Sequence, residues 1–288
     1  MTPLALLTAW VARQADAQGN AWLGERRAAL RARPDARMLA IALGLAPRKV
    51  GKAALDLSAD DLAMAEQVRP GWLPQGLSLD QAARLTLLLE ASVADDFPAL
   101  LKRLLTTSDL AEQIALYRGL PLYPEPARLT LLAVEGLRSA VRGVFESVAH
   151  DNPFPAEHFS QEAWNQMLLK ALFIGAALAP IVGLDRRWNA DLAHMLLDYA
   201  AERAAAGRPI SPELWRGIGP FADAAHIERL AGLLDSGDAL ERQAAALALN
   251  DAGPSGQARL RADQPEYARM IAANEIGWNA IGNRIKIS

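Results

Sequence analysis

A proline-containing loop and a long apolar run lie between His150 and Leu184, where the sequence reads HDNPFPAEHFSQEAWNQMLLKALFIGAALAPIVGL. Pro153 and Pro155 cannot donate backbone hydrogen bonds, so they predict an extended, rigid turn rather than regular helix. The residues that follow predict a helix over 161–178. Because this helix is apolar on nearly every side, we expect it to be buried.

The predicted helix nevertheless carries polar side chains. Glu162, Gln166 and Lys170 recur every four residues and form one polar stripe. Asn165 lies beside the stripe, and an unpaired buried polar group costs roughly 1–3 kcal/mol. The nearest source of partners in the sequence is the preceding loop, which contains His150, Asp151 and Asn152. We therefore predict either a binding site or a structural network where the loop meets the stripe.

Composition restricts the class of protein. The chain has 288 residues, of which 51% are hydrophobic and 22% charged, a balance typical of a globular protein. Its net charge of −3 does not suit a general nucleic-acid binder. The chain has no cysteine, which excludes disulfides, thiolate metal sites and cysteine nucleophiles.

The longest apolar run, Met167–Leu184, is not a membrane span. It contains Lys170 and Gly175 and is broken by Pro180, whereas a spanning helix needs about 20 apolar residues. The apolar N-terminus has no basic region before it, and Thr2 and Pro3 predict a capped helix rather than a signal peptide. We predict no transmembrane segment.

Alanine and leucine dominate the chain, and no two-residue alternation or hairpin turn predicts strands. Short polar loops between helices predict antiparallel neighbours, so the expected fold is all-α with stacked helical hairpins. The predicted helices cover 3–17, 20–32, 35–45, 58–69, 79–93, 96–106, 109–118, 125–149, 161–178, 190–206, 212–217, 222–235, 239–251 and 255–273.

The C-terminal part resembles a repeat array. Residues 227–249 have the helix, Ser/Gly/Asp turn and alanine-rich helix that are typical of HEAT-like repeats, which predicts an α-solenoid. The tail 276–288 has few helix signals and is predicted to be an irregular strap. We predict one domain over 1–288, with an N-terminal helical layer at 1–125 and a second region at 126–288.

A second polar stripe lies on the predicted helix 190–206. Asp191, His194, Asp198 and Glu202 share one face. His194 and Asp198 are one turn apart, so they could act as a base and its orienting carboxylate, or hold a metal with His150 and His158. The alternative interpretation is a solvated acidic face with internal pairing.

Other candidate residues are cationic or aromatic. Arg187 can bind a carboxylate or phosphate, or make a structural ion pair. Trp164 and Trp215 can stack on an aromatic ligand or lie in the core. The sequence has no glycine-rich phosphate loop, nucleophile elbow or dinucleotide fingerprint. We predict no cofactor and no bound metal.

Several clusters of rare residues resemble one known family. Asp151-Asn-Pro-Phe-Pro155 with Ala163-Trp-Asn-Gln-Met167 and Lys170-Ala-Leu-Phe173 is similar to the central signature of EboA-type metabolite traffic proteins. The segments 183–208, 212–221 and 241–249 continue the resemblance, which covers roughly 150–250. Residues 1–140 match only as generic helices. The segment 199–207 is richer in alanine than the family pattern, in which a histidine and a tryptophan are expected.

The resemblance implies a cytoplasmic helical protein that helps move precursors of secondary metabolites. It also implies partners encoded in the same gene group, among them a prenyltransferase-like membrane protein, a TatD-like hydrolase and sugar-phosphate-type enzymes. It implies no particular reaction.

Three functions remain open at this point. The first is a non-catalytic adaptor that binds a metabolite precursor or a partner protein. The second is a hydrolase-like or metal-dependent enzyme that uses the region of His150, His194 and Asp198. The third is a peripheral protein that docks on a membrane. The predicted ligand-binding residues are His150, Asp151, Asn152, Trp164, Asn165, Gln166, Lys170, Arg187, His194, Asp198 and Glu202. We expect four of them, Asn165, Lys170, His194 and Asp198, to border one pocket.

Overall fold

The computed structural model describes residues 1–94 and 96–287, with the backbone alone for the last two. Over this part of the chain the structure is helical and has no strand, which confirms the all-α class. An isolated antiparallel bridge joins Ala54 to Ser78. Contacts divide the chain into two compact units, the first ending at Ser160 and the second beginning at Gln161.

The first unit is built from ten α-helices and a short 3-10 helix, Leu120–Leu122, among the described residues. The α-helices are α1 Pro3–Gln14, α2 Ala17–Ala32, α3 Ala36–Val50, α4 Ala59–Val68, α5 Leu79–Ala91, α6 Phe97–Thr107, α7 Leu110–Arg118, α8 Pro126–Arg138, α9 Arg142–Ala149 and α10 Phe154–His158.

Helix α5 is the centre of the first unit. It begins at the capping box that Ser78 and Gln81 predict, in which each side chain accepts from the other's backbone N–H. Almost every residue of α5 is buried, because α1, α2, α3 and α7 pack around it. Because other helices surround it on nearly all sides, α5 occupies the middle of the core.

Two buried carboxylates tie neighbouring helices to this core. Asp61 is 3% exposed and accepts hydrogen bonds from the Trp10 indole at 2.8 Å and from Arg13 at 2.6 Å. Glu90 is 4% exposed and accepts from Arg27 and Arg31, both at 2.7 Å. These pairs join α1 to α4 and α2 to α5.

The two carboxylates should make the protein sensitive to acid. The hydrogen bond from Arg13 holds the pKa of Asp61 well below its usual range. Burial works to raise the pKa of Glu90, but the hydrogen bonds from Arg31 and Arg27 outweigh it and lower the pKa. A carboxyl whose pKa is lower when folded stabilises the fold above its unfolded pKa and loses that contribution as the pH falls.

We therefore expect the free energy of unfolding to drop as the pH falls below about 4, near the ordinary carboxyl pKa values. Urea unfolding of the full chain at a series of pH values between 7 and 3 measures this dependence. The variant Asp61→Asn should show a shallower dependence, because it removes one of the two titrating groups. Equal slopes for the two proteins would contradict the assignment to Asp61.

The second unit contains seven α-helices and four 3-10 helices among its described residues. The α-helices are α11 Gln161–Phe173, α12 Ala190–Ala205, α13 Ala224–Gly232, α14 Ala239–Asp251, α15 Gly253–Asp263, α16 Pro265–Ala272 and α17 Trp278–Ile287. The 3-10 helices are Leu184–Arg186, Pro212–Gly217, Gly219–Phe221 and Leu233–Asp235.

Helix α14 is the centre of the second unit. Its alanines at 244–246 and 248 are fully buried, which lets α13, α15, α16 and α17 pack closely around it together with the 3-10 helix Pro212–Gly217. Helix α12 begins where predicted, because the Asn189 side chain accepts from the N–H of Leu192 at 2.9 Å. The left-handed Gly207 follows its end.

Several predicted boundaries are wrong. Residues 154–158 form helix α10 instead of an extended turn, because Pro155 lies in the first turn, where no N–H is needed. The predicted helix 125–149 is two helices, α8 and α9, and 255–273 is divided before Pro265 into α15 and α16. The helix predicted over 161–178 ends at Phe173, before the left-handed Gly175.

The tail was also predicted wrongly. Residues from Trp278 onward form α17 rather than an irregular strap, and the final residue of the predicted tail, Ser288, lies outside the described residues. In the second unit, α13 packs on α14, α14 on α15 and α15 on α16. The HEAT-like solenoid and the single-domain organisation stay predictions.

Candidate functional site

The predicted loop residues His150, Asp151 and Asn152 belong to the first unit. Asn152 is 3% exposed and donates from Nδ2 to the carbonyls of Ser147 at 3.3 Å and Tyr117 at 3.4 Å. Its Oδ1 accepts from the N–H of Phe154 at 3.0 Å. Asp151 adopts a left-handed conformation with φ of 52°. The Asn152 side chain therefore fixes the backbone of the loop.

The polar stripe on α11 faces solvent rather than the core. Glu162 and Gln166 are exposed, and Lys170 is half-buried. Burial lowers the pKa of Lys170. The core face of α11 is formed by Trp164, Leu168 and their neighbours. The helix is thus buried on one side, whereas the predicted polar stripe lies on its solvent side.

The polar stripe on α12 is exposed as well. His194, Asp198 and Glu202 all lie on the solvent side of the helix. The His194 ring nitrogen Nδ1 is 2.8 Å from the carbonyl oxygen of Ala190, one turn earlier. This geometry agrees with the solvated-face interpretation.

Three predicted residues lie in one cluster that joins α11 to the start of α12. The Asn165 and Asn189 amides donate to each other's oxygen at 3.3 and 3.0 Å. The Gln161 amide donates to Asn165 Oδ1 at 3.0 Å. The Arg187 guanidinium lies over the Trp164 ring at 4.7 Å, and burial lowers the pKa of Arg187.

This cluster satisfies its own hydrogen bonds to a large extent. Asn165 is 5% exposed, and both of its amide atoms have partners. Asn189 also caps α12. The cluster therefore joins the start of α12 to α11. The structural-network alternative, in which this helix braces the loop at 150–152, stays a prediction. Whether Asn165 borders one pocket with Lys170, His194 and Asp198 also stays a prediction.

A different set of residues lines an open cavity of about 270 Å³ in the second unit. We call it the arginine cavity, and its lining residues are Ala179, Ile181, Gly183, Leu184, Asp185, Arg186, Arg216 and Asn279. Its apolar residues come from the segment after α11, its charges from two 3-10 helices, and Asn279 from α17.

Arg216 and Asp185 form the polar wall of the arginine cavity. Arg216 Nε donates to Asp185 Oδ1 at 2.9 Å, and Nη2 donates to Oδ2 at 2.7 Å. This is the parallel two-bond geometry that a guanidinium makes with a carboxylate. The Arg216 side chain is 8% exposed, whereas that of Asp185 is 69% exposed. Arg216 Nη1 is buried and has no hydrogen-bond partner among the described residues.

Local backbone geometry places both members of this pair. Gly183 has a left-handed φ of 80°, which a side chain rarely adopts, and it starts the 3-10 turn that presents Asp185. Pro212 starts the 3-10 helix that carries Arg216. A Cβ on Gly217 would lie 2.5 Å from Leu196 Cδ1, so glycine is needed for the helix to approach α12.

Glu213 holds the backbone of the segment that lines the cavity. It is 1% exposed, and its carboxylate accepts the backbone N–H groups of Leu178 and Ala179, both at 2.8 Å. Burial raises the pKa of Glu213 despite these hydrogen bonds. A Cβ on Gly282 would lie 2.7 Å from Glu213 Oε1. Helix α17 therefore packs directly against the segment that lines the cavity.

The sequence prediction missed Glu213 and Arg216 as site residues. Their signal was two charged residues within the otherwise apolar stretch PELWRGIGPF. Charged side chains are almost never fully buried unless they are paired. That pattern indicates buried ion pairs, but it does not name the partner, because Asp185 is distant in sequence.

The described residues include no group of three or more His, Asp or Glu side chains placed to hold a metal ion. None of their helices has the length and apolarity needed to cross a membrane. What the arginine cavity offers chemically is a fixed guanidinium, a second cation in Arg186 and an apolar floor.

The family model of the metabolite traffic protein EboA matches residues 4–219. The chain belongs to this family. The match includes the N-terminal helices, which the resemblance had treated as generic, and it ends before 241–249. All residues that line the arginine cavity except Asn279 lie within the matched segment. No curated protein and no solved structure has a significant match to the chain.

Proposed function

We propose that this protein is a non-catalytic helical adaptor in the traffic of a secondary-metabolite precursor, and that it binds a small molecule in the arginine cavity. Membership of the metabolite traffic family supports the general role. The observation that carries the binding role is the buried, oriented guanidinium of Arg216 at the wall of an open cavity.

The size and lining of the cavity suit binding rather than chemistry. Its volume, about 270 Å³, is close to the lower end for ligand pockets and fits a small metabolite or one end of a larger one. A few fixed polar groups beside apolar residues orient a ligand. No histidine, serine or threonine lines the cavity, and its one lining carboxylate, Asp185, is paired with Arg216.

The enzyme alternative has less support. It used His150, His194 and Asp198, and two of these lie on the exposed face of α12 without a shared hydrogen bond. The membrane alternative rests on exposed apolar side chains, and the most exposed of them, such as Leu131 and Phe173, lie on separate helices. Within the proposal, the protein works in the cytoplasm beside proteins of the same gene group, including the prenyltransferase-like membrane protein.

Retention of metabolites tests the binding role. Full-length protein is incubated with a metabolite extract of producing cells, and the retained compounds are identified by mass spectrometry. We expect at least one compound to be retained by the wild type and lost from Arg216→Lys, because lysine keeps the charge but cannot form two parallel hydrogen bonds. The matched control is Arg208→Lys, at an exposed position outside the cavity.

The outcomes separate binding from folding. Circular dichroism must show that Arg216→Lys keeps the helix content of the wild type. If a folded Arg216→Lys variant retains the same compounds in the same amounts, the arginine cavity is not the binding site. If the wild type retains nothing beyond what an unrelated helical protein retains, the binding role itself is wrong.

A further inference from the structure

The charges that line the arginine cavity are unequal. Two guanidinium groups, on Arg186 and Arg216, face one carboxylate, on Asp185. The formal charge of the lining is therefore positive by one unit. Asn279 adds an amide that can donate further hydrogen bonds. Such a lining complements a ligand with one negative group.

Two other carboxyl groups lie near Arg216, and they compensate its charge only in part. Glu213 is buried, and its carboxylate is engaged by two backbone N–H groups. Asp251 accepts a hydrogen bond from the Trp278 indole at 2.8 Å. Burial raises the pKa of both groups, and neither makes a hydrogen bond with Arg216 among the described residues. Asp185 is thus the only carboxylate in direct hydrogen-bonded contact with Arg216 among the described residues.

The ion pair itself joins one buried and one exposed partner. Arg216 is held in the wall with its side chain 8% exposed, whereas the Asp185 side chain is 69% exposed on a short 3-10 turn. A carboxylate or phosphate presents two oxygens to a guanidinium in the same parallel geometry as Asp185 does. An incoming anion can therefore take the place of Asp185 while Arg216 stays fixed.

From this geometry we infer that the molecule bound in the arginine cavity carries a carboxylate or phosphate, and that Asp185 occupies the position of this anion when the cavity is free. The inference rests on the proposed function, because it names the chemical class of the ligand of that site. Arg216 binds the anion directly, Arg186 adds a second positive charge at the mouth, and Asp185 competes with the ligand.

Because Asp185 competes with the ligand, substitutions of Asp185 and of the two arginines should change the affinity for anions in opposite directions. Removing the charge of Asp185 should tighten anion binding about fivefold to tenfold, because one competing and repelling carboxylate is lost. Arg186→Gln should weaken binding about threefold, since Arg186 is exposed and screened by solvent. Arg216→Lys should weaken it tenfold or more, because the two parallel hydrogen bonds are lost.

The experiment uses the full chain with two probes, inorganic phosphate and acetate, titrated separately at low ionic strength and followed by amide NMR shifts. The variants are Asp185→Asn, Arg186→Gln and Arg216→Lys. The matched controls are Glu266→Gln and Arg208→Gln, which change charge by the same amounts at exposed positions outside the cavity. We expect shifts at residues 181–186 and the stated order of affinities, with both controls equal to the wild type.

The two probes distinguish the sources of the anion. Tighter binding of phosphate indicates a phosphorylated ligand, and tighter binding of acetate indicates a carboxylic acid. Equal binding to the wild type and all variants would mean an adventitious ion only and would overturn the inference. So would an Asp185→Asn variant that is folded and binds no more tightly than the wild type.

Failure of the inference is separable from failure of the proposed function. If neither anion binds, yet the extract still yields a compound whose retention depends on Arg216, the cavity binds a neutral ligand and only the anion class is wrong. If neither anion binds and no compound is retained, the proposed function fails as well.

Discussion

Leu168→Ala is expected to lower the free energy of unfolding by about 2–5 kcal/mol. Leu168 is fully buried on the core face of α11, between Trp164 and Leu172 on the same face. Truncation removes buried methyl groups and leaves a cavity that close-packed neighbours cannot fill completely. Urea or thermal unfolding of the two proteins measures the difference.

The matched control for Leu168 lies on the same helix. Phe173 ends α11 with 69% of its surface exposed, so Phe173→Ala removes more apolar atoms from a solvent-facing position. We expect it to change the free energy of unfolding by less than about 0.5 kcal/mol. Similar losses for the two variants would mean that the assignment of buried and exposed faces on α11 is wrong.

Asp61→Ala is expected to lower the free energy of unfolding by about 3 kcal/mol. The substitution leaves the Trp10 indole N–H buried without an acceptor, since Trp10 is 1% exposed. It also removes the partner of Arg13 and the carboxylate that accepts from the Ser58 N–H at the start of α4. Denaturant unfolding followed by tryptophan fluorescence measures the loss.

The neighbouring residue provides the control for Asp61. Asp60 has the same side chain in the same first turn of α4, but it is exposed. Asp60→Ala should cost no more than about 0.5 kcal/mol, mostly through the helix dipole. Equal costs at the two positions would show that helix-terminal charge, rather than the buried hydrogen bonds, dominates at this site.

Local features of the fold were predictable from the sequence. The Ser78 capping box and the Asn189 cap depend on residues within one turn, so their sequence patterns determine their geometry. The all-α class follows from composition and periodicity in the same way. The effect of a proline was harder to predict, because a proline breaks the interior of a helix but is favoured at its start. The sequence pattern alone does not show that Pro155 lies at a helix start.

Features that depend on tertiary contacts were not predictable. Asp185 and Arg216 are far apart in sequence, and the chain path brings them together. The sequence of α17 has a weak helix propensity, because Gly282 lies inside the helix. The hydrogen bond from Trp278 to Asp251 and the close packing of Gly282 on Ala179 stabilise the helix. The polar stripes on α11 and α12 were correctly found as stripes, yet only burial could show that they face solvent.

Helix α17 adds to the arginine cavity one residue that lies outside the family segment. The guanidinium pair and the apolar floor come from the family segment 4–219, whereas Asn279 comes from a helix beyond it. A protein that keeps the family segment but carries another C-terminal helix would present the same charges behind a different rim. Under the proposed function, exchanging this one helix would change the polar group that a ligand meets at the rim of the cavity.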